Sequence, residues 1–378
     1  MEIVTCKPAR LEPFEKAMES VYGKFTGVAD PSTWTPPPAN GGHRGRYLWT
    51  DAFGVMNFLT LYQMHTQLGT ENVQPERYLT FAKRLVAAVH DILGRTRNGT
   101  SRLALATELE PLAGGLRIGK VDVNGADCDG QYHHYITIWM RALNRLSMAT
   151  RDPTYNRQAY SLGKAIHPHF LTGLDTDQPR MHWKLAMDLS RPLVASQGNL
   201  DPIDGYVTFS LVQASAREFG DGEVFEEEIA NYKRVAGPEL KYEPSLDMLD
   251  LGMAITLGQY LFCQEDWASN MINQCYKGLR TLFIEENYLG EGTPGTDVYR
   301  ELGACVGMTC LFNRRGPNGE KFSYYADFTK QLIDQYEAST TKMPKRLKPI
   351  TKVMYAAALI PGAFMAGFFG TEPINAGN

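Results

Sequence analysis

The feature that most constrains the fold is an alternation between apolar and amphipathic helical segments. Residues 47–62 (YLWTDAFGVMNFLTLY) have polar residues at their start and then an almost uncharged run. A helix that is apolar on every side must be buried. The next segment, 74–94, has apolar residues at helical spacing and charged residues on its other face, with Pro75 at its start and Gly94 at its end. This pair predicts a buried helix packed against a partly exposed one.

The same alternation continues along the chain and predicts six apolar helices and six amphipathic ones. The apolar segments are 50–68, 131–150, 204–219, 245–262, 296–312 and 350–364, and the amphipathic partners of the first five are 74–94, 154–171, 222–235, 265–284 and 323–336. Segment 11–22 can pair with the last apolar helix. The spacing is too irregular for a linear solenoid. An inner ring of six helices within an outer ring of six fits the pattern, so we expect an all-α (α/α)6 toroid in one domain, residues 1–378.

In such a toroid all inner helices run parallel, and their N-termini meet at one end. The long connections 95–130 and 173–204 lead into inner helices and are expected at that end, whereas 28–46 is an irregular loop rich in Pro and Gly. Because binding and catalytic residues concentrate on loops held by a rigid scaffold, we expect the functional site at this end.

Two segments resemble a known group of enzymes. Residues 49–69 (WTDAFGVMNFLTLYQMHTQLG) resemble the first inner-helix segment of the unsaturated glucuronyl and rhamnogalacturonyl hydrolases, and RLSMATRDPTY resembles the turn within their helical hairpins. The chain as a whole resembles the six-hairpin glycosidase superfamily. The resemblance implies a toroid that hydrolyses a glycosidic bond with a pair of Asp carboxylates at its mouth.

The most unusual segment is 125–135 (GADCDGQYHHY), at the start of the second predicted inner helix. Asp127 or Asp129 can act as a general acid or base, with His133 or His134 as proton donor or shuttle. Adjacent residues of a helix point about 100 degrees apart, so at most one of the two histidines is expected to face the centre. D-x-D followed by HH lacks a standard metal-ligand spacing, and we predict neither a metal nor a cofactor.

Asp51 and Asp204 stand at the starts of the first and third inner helices and are further catalytic candidates, although Asp there is also a common helix cap. Trp183 can stack on a sugar or a polycyclic ligand, and Lys184 and Arg191 can hold a carboxylate, within a stretch that can form a strand at the rim. A purely structural loop is the alternative. The substrate-binding candidates are Trp49, Gln131, Tyr132, His182, Trp183, Lys184, Asp188, Arg191, Tyr206, Asp250, Tyr299 and Tyr355.

Composition excludes several classes of function. The net charge of −4 comes without a basic stripe, which argues against nucleic acid as a partner. Nucleotide-binding, serine-hydrolase and zinc-protease motifs are absent from the sequence. The apolar run 353–369 is expected to be a core helix rather than a membrane span. A cytoplasmic location is expected, because no secretory signal is seen and Cys263, Cys305 and Cys310 fit buried free thiols.

Three functions remain open at this stage. The first is a glycoside hydrolase or a related enzyme acting on a sugar. The second is a non-hydrolytic enzyme that folds an apolar small molecule for cyclisation, isomerisation or intramolecular cycloaddition, as in natural product biosynthesis. The third is a binding protein that has kept the scaffold and lost its chemistry.

Overall fold

Twelve α-helices make up most of the computed structural model in the part of the chain it describes: residues 8–38, 45–69, 73–125, 127–237, 240, 242–291, 298–312, 322–342 and 348–370. The helices are α1 Leu11–Tyr22, α2 Leu48–Leu68, α3 Glu76–Leu93, α4 His133–Thr150, α5 Pro153–Phe170, α6 Asp201–Glu218, α7 Glu226–Ala236, α8 Met248–Gly258, α9 Asp266–Arg280, α10 Tyr299–Leu311, α11 Ala326–Lys342 and α12 Pro349–Leu359.

The chain divides into two compact units. The central unit is Tyr22–Leu240, and the terminal unit combines Met1–Val21 with Lys241–Asn378. The expectation of one domain over residues 1–378 stays a prediction.

The central unit contains three helical hairpins, α2 with α3, α4 with α5, and α6 with α7. Helices α2, α4 and α6 are buried around most of their circumference, whereas α3, α5 and α7 bury one face. This is the predicted alternation. The core beside α2 is rich in aromatic rings, and Phe58 contacts Tyr22, Phe25, Trp34 and Phe81.

Local sequence explains the sharp turn between α4 and α5. Arg151 takes a left-handed conformation (φ 56°) that ends α4. Asp152 then caps α5 by accepting a hydrogen bond from the Thr154 backbone N–H at 3.0 Å, and Pro153 takes the first helical position. Both choices suit a helix start, since a cap satisfies an unpaired N–H and Pro needs none there.

The starts of α2, α4 and α6 lie at the same end of the central unit. The rings of Trp49 and Tyr135 stack at 5.4 Å, and His134 Nδ1 lies 2.5 Å from Asp204 Oδ2. These three inner helices are therefore parallel, as predicted.

The connections at this end contain two short antiparallel pairs. Strand β1 (Gln131–Tyr132) pairs with β4 (Lys184–Leu185), and β2 (Leu171–Thr172) pairs with β3 (Arg180–Met181). The alternating stretch from His182 to Arg191, expected to form a rim strand, contributes only β4 and an isolated bridge between Leu185 and Pro192. Pairing with β1 ties the loop before α6 to the first residues of α4.

In the terminal unit, α8 pairs with α9, α10 packs on both α8 and α11, and α12 packs on α10. Backbones of α8 and α10 touch, and a Cβ at Gly252 would lie 2.1 Å from the Gly303 carbonyl oxygen. Arg10 Nη1 donates to the Leu359 carbonyl at 3.1 Å, which brings the residues before α1 to the end of α12. This contact agrees with α1 as the partner of the last inner helix.

Several local expectations were wrong. Helix α12 ends at Leu359 rather than 364, because Pro361 cannot continue it. Segment 265–284 is α-helical only to Arg280 and then forms a π-helical turn. Cys263 is exposed in a turn after α8, whereas Cys305 and Cys310 are buried as predicted. Among the described helices, none has the length and apolar character that a membrane crossing requires.

Candidate active site

The centre of the candidate site is a hydrogen bond between a histidine of α4 and an aspartate of α6. His134 lies in the first turn of α4, and its Nδ1–H donates to Asp204 Oδ2 at 2.5 Å. Asp204 lies in the first turn of α6, where Leu200 is the capping residue, so Asp204 is not the cap. Its carboxylate instead reaches across to the neighbouring inner helix.

Four side chains hold the Asp204 carboxylate. Besides His134, Arg141 Nη1 donates to Oδ1 at 2.5 Å, Thr208 Oγ1 to Oδ1 at 2.9 Å, and Thr137 Oγ1 to Oδ2 at 2.7 Å. Burial alone would raise the pKa of Asp204, but the charges of Arg141 and His134 outweigh it and lower that pKa well below its usual range. The residue is therefore an anion at neutral pH.

Aromatic rings surround His134, and we call Trp49, Tyr132, Tyr135 and Trp183 the aromatic cluster. Trp49 meets the His134 ring edge-on at 5.6 Å and stacks on Tyr135. Tyr132 lies 4.6 Å from Tyr135 and 4.8 Å from Trp183. Trp49 and Tyr135 are buried, whereas Tyr132, Trp183 and His134 are half-buried. The cluster therefore offers ring faces and one imidazole to a ligand.

The neighbouring histidine faces the other way. The His133 side chain is fully buried, whereas that of His134 is 14% exposed. His133 packs on Phe170 and Tyr232, and its Nε2 lies 2.8 Å from the Tyr232 hydroxyl. The structure thus agrees with the expectation that only one of the two adjacent rings faces the site.

Asp51 is buried beside the cluster but makes separate contacts. It accepts hydrogen bonds from Arg46 Nε at 2.7 Å and from the Tyr22 hydroxyl at 2.9 Å. Burial raises the pKa of Asp51, although the Arg46 charge acts against this. Helix α2 is capped at Tyr47 without a side-chain bond, so Asp51 is not the cap.

The two acids of the GADCDG segment organise a loop. Asp129 is buried, bonds Arg117 Nη1 at 3.1 Å, and accepts from the backbone N–H groups of Gly119, Lys120 and Gly130. Asp127 is exposed and pairs with the Lys120 ammonium. Neither carboxylate contacts the aromatic cluster through these bonds.

Several predicted binding residues support the loops instead. The Gln131 side chain donates to the carbonyls of Gly114 and Met187 and accepts from the Leu116 N–H. Lys184 is buried, and burial lowers its pKa. Asp188 and Arg191 are exposed, and Asp188 Oδ1 accepts a hydrogen bond from Ser190 Oγ at 2.6 Å.

His182 is half-buried two residues after β3 begins, and Tyr206 is buried on α6.

Three predicted binding residues, Asp250, Tyr299 and Tyr355, lie in the terminal unit. Asp250 accepts from the Tyr242 hydroxyl at 2.7 Å and from Ser245 Oγ at 2.8 Å. Tyr299 begins α10, and the Tyr355 hydroxyl donates to Glu337 at 2.5 Å.

Arg141, Thr137 and Thr208 were not among the residues predicted from the sequence. A signal was present, because a buried arginine in an otherwise apolar helix needs a carboxylate partner. Arg141 is seven residues after His134, two helical turns along the same face. Among the described residues, no group of three or more His, Cys, Asp or Glu side chains is arranged to hold a metal ion.

No protein-family model and no curated protein matches this chain. Solved structures do match it. One is the family 76 glycoside hydrolase (mannosidase) Bt3792 from Bacteroides thetaiotaomicron VPI-5482, with a TM-score of 0.60 and 12% identity over 94% of this chain and 98% of that one. Another is a family 76 glycoside hydrolase from a bovine Bacteroides thetaiotaomicron strain, with a TM-score of 0.52 and 11% identity over 94% of this chain and 77% of that one.

Similarity at this level of identity establishes architecture rather than activity. Family 76 mannosidases belong to the six-hairpin glycosidase superfamily. The likeness to the unsaturated glucuronyl hydrolases stays a prediction. The chain therefore has the predicted all-α (α/α)6 toroid fold.

Proposed function

We propose that this protein is a carbohydrate-active enzyme in which His134 transfers the proton and the aromatic cluster binds the sugar. The observation that carries the proposal is the bond between His134 Nδ1 and the buried, ionised Asp204. The sugar substrate is supported by the fold shared with family 76 glycoside hydrolases.

The Asp204 contact determines what His134 can do. With its proton on Nδ1 donated to Asp204, the neutral imidazole presents the lone pair of Nε2 and can act as a general base. Once protonated, the same nitrogen can return the proton to a leaving oxygen. Asp204 fixes the ring orientation and stabilises the imidazolium through its negative charge, and Arg141 keeps that charge in place.

The aromatic cluster supplies the binding surface. The C–H face of a pyranose packs well on aromatic rings, and the half-buried rings of Tyr132 and Trp183 lie next to one another. Trp183 Nε1 donates to Ser196 Oγ at 3.1 Å, which fixes the indole orientation. By analogy with the mannosidase, we propose a mannoside as the substrate.

Hydrolysis by a pair of Asp carboxylates, expected from the sequence, is the competing mechanism. It requires two carboxyl groups on either side of the scissile bond. Asp51 and Asp204 are buried candidates for such a pair, but each already bonds an arginine. Our proposal therefore assigns the proton transfer to His134 and gives Asp204 the role of orienting it.

The test uses 4-nitrophenyl α- and β-mannosides and mannan oligosaccharides as substrates. We expect His134→Gln to lower kcat by about a hundredfold or more and Asp204→Asn to lower it strongly, with Asp51→Asn remaining active. His169→Gln, a half-buried histidine of α5, is the matched control and should keep full activity.

Loss of activity in Asp51→Asn with activity kept in His134→Gln would establish the carboxylate-pair mechanism instead. Binding of mannan oligosaccharides without turnover in the wild-type protein would contradict the enzymatic proposal and favour a binding protein.

A second candidate is a non-hydrolytic enzyme for an apolar small molecule. The observation that favours it is the composition of the cluster, in which a single imidazole is surrounded by ring faces. Quenching of tryptophan fluorescence distinguishes the two. An apolar polycyclic probe that binds, is not displaced by mannobiose and loses affinity in Trp183→Ala would support this second function.

A further inference from the structure

Helices α4 and α6 contain a second histidine–aspartate pair, His133 with Asp201, next to the pair of His134 with Asp204. His133 and His134 are consecutive in α4, and Asp201 and Asp204 are one turn apart in α6. Consecutive helical residues point about 100 degrees apart, so each histidine meets a different aspartate. His134 pairs with Asp204 at 2.5 Å, and His133 Nδ1 lies 3.5 Å from Asp201 Oδ1.

The atoms of the second pair lack other partners. His133 Nδ1 and Asp201 Oδ1 are both buried without a hydrogen bond in the described part of the chain. A buried polar atom without a partner destabilises the folded state, because it has lost its hydrogen bonds to water. The two atoms are separated by about 0.6 Å more than a hydrogen bond requires, so a small approach satisfies both.

Tyr232 of α7 completes the arrangement on the other side of the ring. Its hydroxyl lies 2.8 Å from His133 Nε2. Burial, followed by the negative charges of Asp204 and Asp201, raises the pKa of Tyr232 well above its usual range. The hydroxyl therefore keeps its proton and can donate it to Nε2.

The protonation pattern follows from these contacts. If Tyr232 donates to Nε2, the His133 proton is on Nδ1 and points to Asp201. In the opposite tautomer, the Nδ1 lone pair would face the Asp201 carboxylate, two acceptors 3.5 Å apart with no proton between them. The first tautomer satisfies all three side chains.

A glycine of α6 allows the Tyr232 ring to approach the helix. A Cβ at Gly205 would lie 2.3 Å from Cε1 of Tyr232, so only glycine lets the Tyr232 ring lie against α6 at this level. Gly205 follows Asp204 directly, and the stretch Asp201–Gly205 thus carries both aspartates and the space for the tyrosine.

We propose that Asp201, His133 and Tyr232 form a buried hydrogen-bonded relay that fixes His133 as the Nδ1–H tautomer and holds the first turn of α4 against α6 and α7. Because His134 shares that turn, the relay keeps its ring aimed at Asp204. His133 and Tyr232 are positioning residues, and this part of the inference rests on the proposed function.

The primary test reads the tautomer and does not require activity. Long-range proton–nitrogen correlation spectra of the full chain with ¹⁵N-labelled histidine report which ring nitrogen carries the proton, and His133→Gln assigns the signal. We expect the Nδ1–H form in the wild-type protein and a shift to the Nε2–H form in Asp201→Leu. Asp177→Leu, an exposed change in the loop after α5, is the matched control and should leave the signal unchanged.

Tyr232→Phe is the second variant and serves if Asp201→Leu does not fold. It should keep the Nδ1–H form while the Nε2 resonance moves toward that of an imidazole without a donor. An Nε2–H tautomer in the wild-type protein, or an unmoved Nε2 signal in Tyr232→Phe, would overturn the relay.

Kinetics test the positioning role separately. With a mannoside that the wild-type protein turns over, Tyr232→Phe should lower kcat on the order of tenfold with KM unchanged, because Tyr232 does not touch the sugar. An unchanged kcat would refute the positioning role while leaving the proposed function intact. If no mannoside is turned over, the proposed function fails, and the tautomer experiment still decides the relay.

Discussion

Replacing Arg141 with methionine tests whether Asp204 is a buried anion that depends on this cation. Methionine keeps much of the apolar volume of the arginine stem but removes the guanidinium. The Arg141 side chain is 10% exposed and Asp204 is fully buried. The variant would therefore leave a carboxylate inside the protein with only His134 and two threonine hydroxyls as donors.

The size of the effect follows from this burial. Removing one partner of a buried ion pair costs about 3–5 kcal/mol, because the remaining charge stays desolvated. The matched control is Arg157→Met, since Arg157 also binds an aspartate but its side chain is 52% exposed. An exposed pair contributes about 0.2–1 kcal/mol.

The assay is urea unfolding at pH 7, followed by far-UV circular dichroism and tryptophan fluorescence. We expect Arg141→Met to lower the free energy of unfolding by about 3–5 kcal/mol and the control to lower it by less than about 1 kcal/mol. Adding Asp204→Asn to Arg141→Met should recover part of the loss, because it removes the uncompensated charge. Equal losses in the two single variants, or strictly additive losses in the double variant, would refute the reasoning.

Three further predictions concern stability. Burial lowers the pKa of His90 to about 4 from an unfolded value of about 6.5, so the free energy of unfolding falls as pH drops from 6.5 toward 4, because the unfolded chain takes up a proton that the buried ring does not. His90→Gln should remove about 2.5 kcal/mol of that loss, measured by urea unfolding at pH 7 and pH 4.5. Gly252→Ala should lower Tm by several degrees because its Cβ would meet the Gly303 carbonyl, whereas Gly27→Ala, with open space around it, should leave Tm nearly unchanged in calorimetry. Asp129→Ala should lower the free energy of unfolding, measured in urea, by about 3–5 kcal/mol, since two arginines and three N–H groups lose their acceptor. A loss below about 1 kcal/mol would show that the stability of the loop does not depend on Asp129.

The alternation of helices was predictable because it follows from burial. Residues 47–62 are almost uniformly apolar, so a helix formed by them must be buried wherever it packs. The RDPTY turn contains both the Asp that caps α5 and the Pro that begins it. Boundaries were less accurate. Helix α6 begins at Asp201 rather than 204 because Pro202 fits the first turn of a helix.

The candidate site was only partly predictable. Sequence reasoning placed His134 and Asp204 at one end of the inner helices, since parallel helices bring their starts together. It could not tell which acids were already committed to other partners. Asp129 and Asp51 depend on Arg117 and Arg46 respectively, and those pairings arise from loop paths that no local pattern encodes.

The placement of two histidines side by side makes the site sensitive to chain length at one point. Strand β1 (Gln131–Tyr132) is hydrogen-bonded to β4 and is followed directly by His133, so the pairing fixes the position at which α4 begins. Inserting one residue between Tyr132 and His133 would rotate the helix start by about 100 degrees and turn both imidazoles away from their carboxylates. Insertions are better tolerated farther upstream, where the long connection can absorb them. Evolution can therefore remodel the outer loops freely while the step from Tyr132 to His133 stays fixed in length.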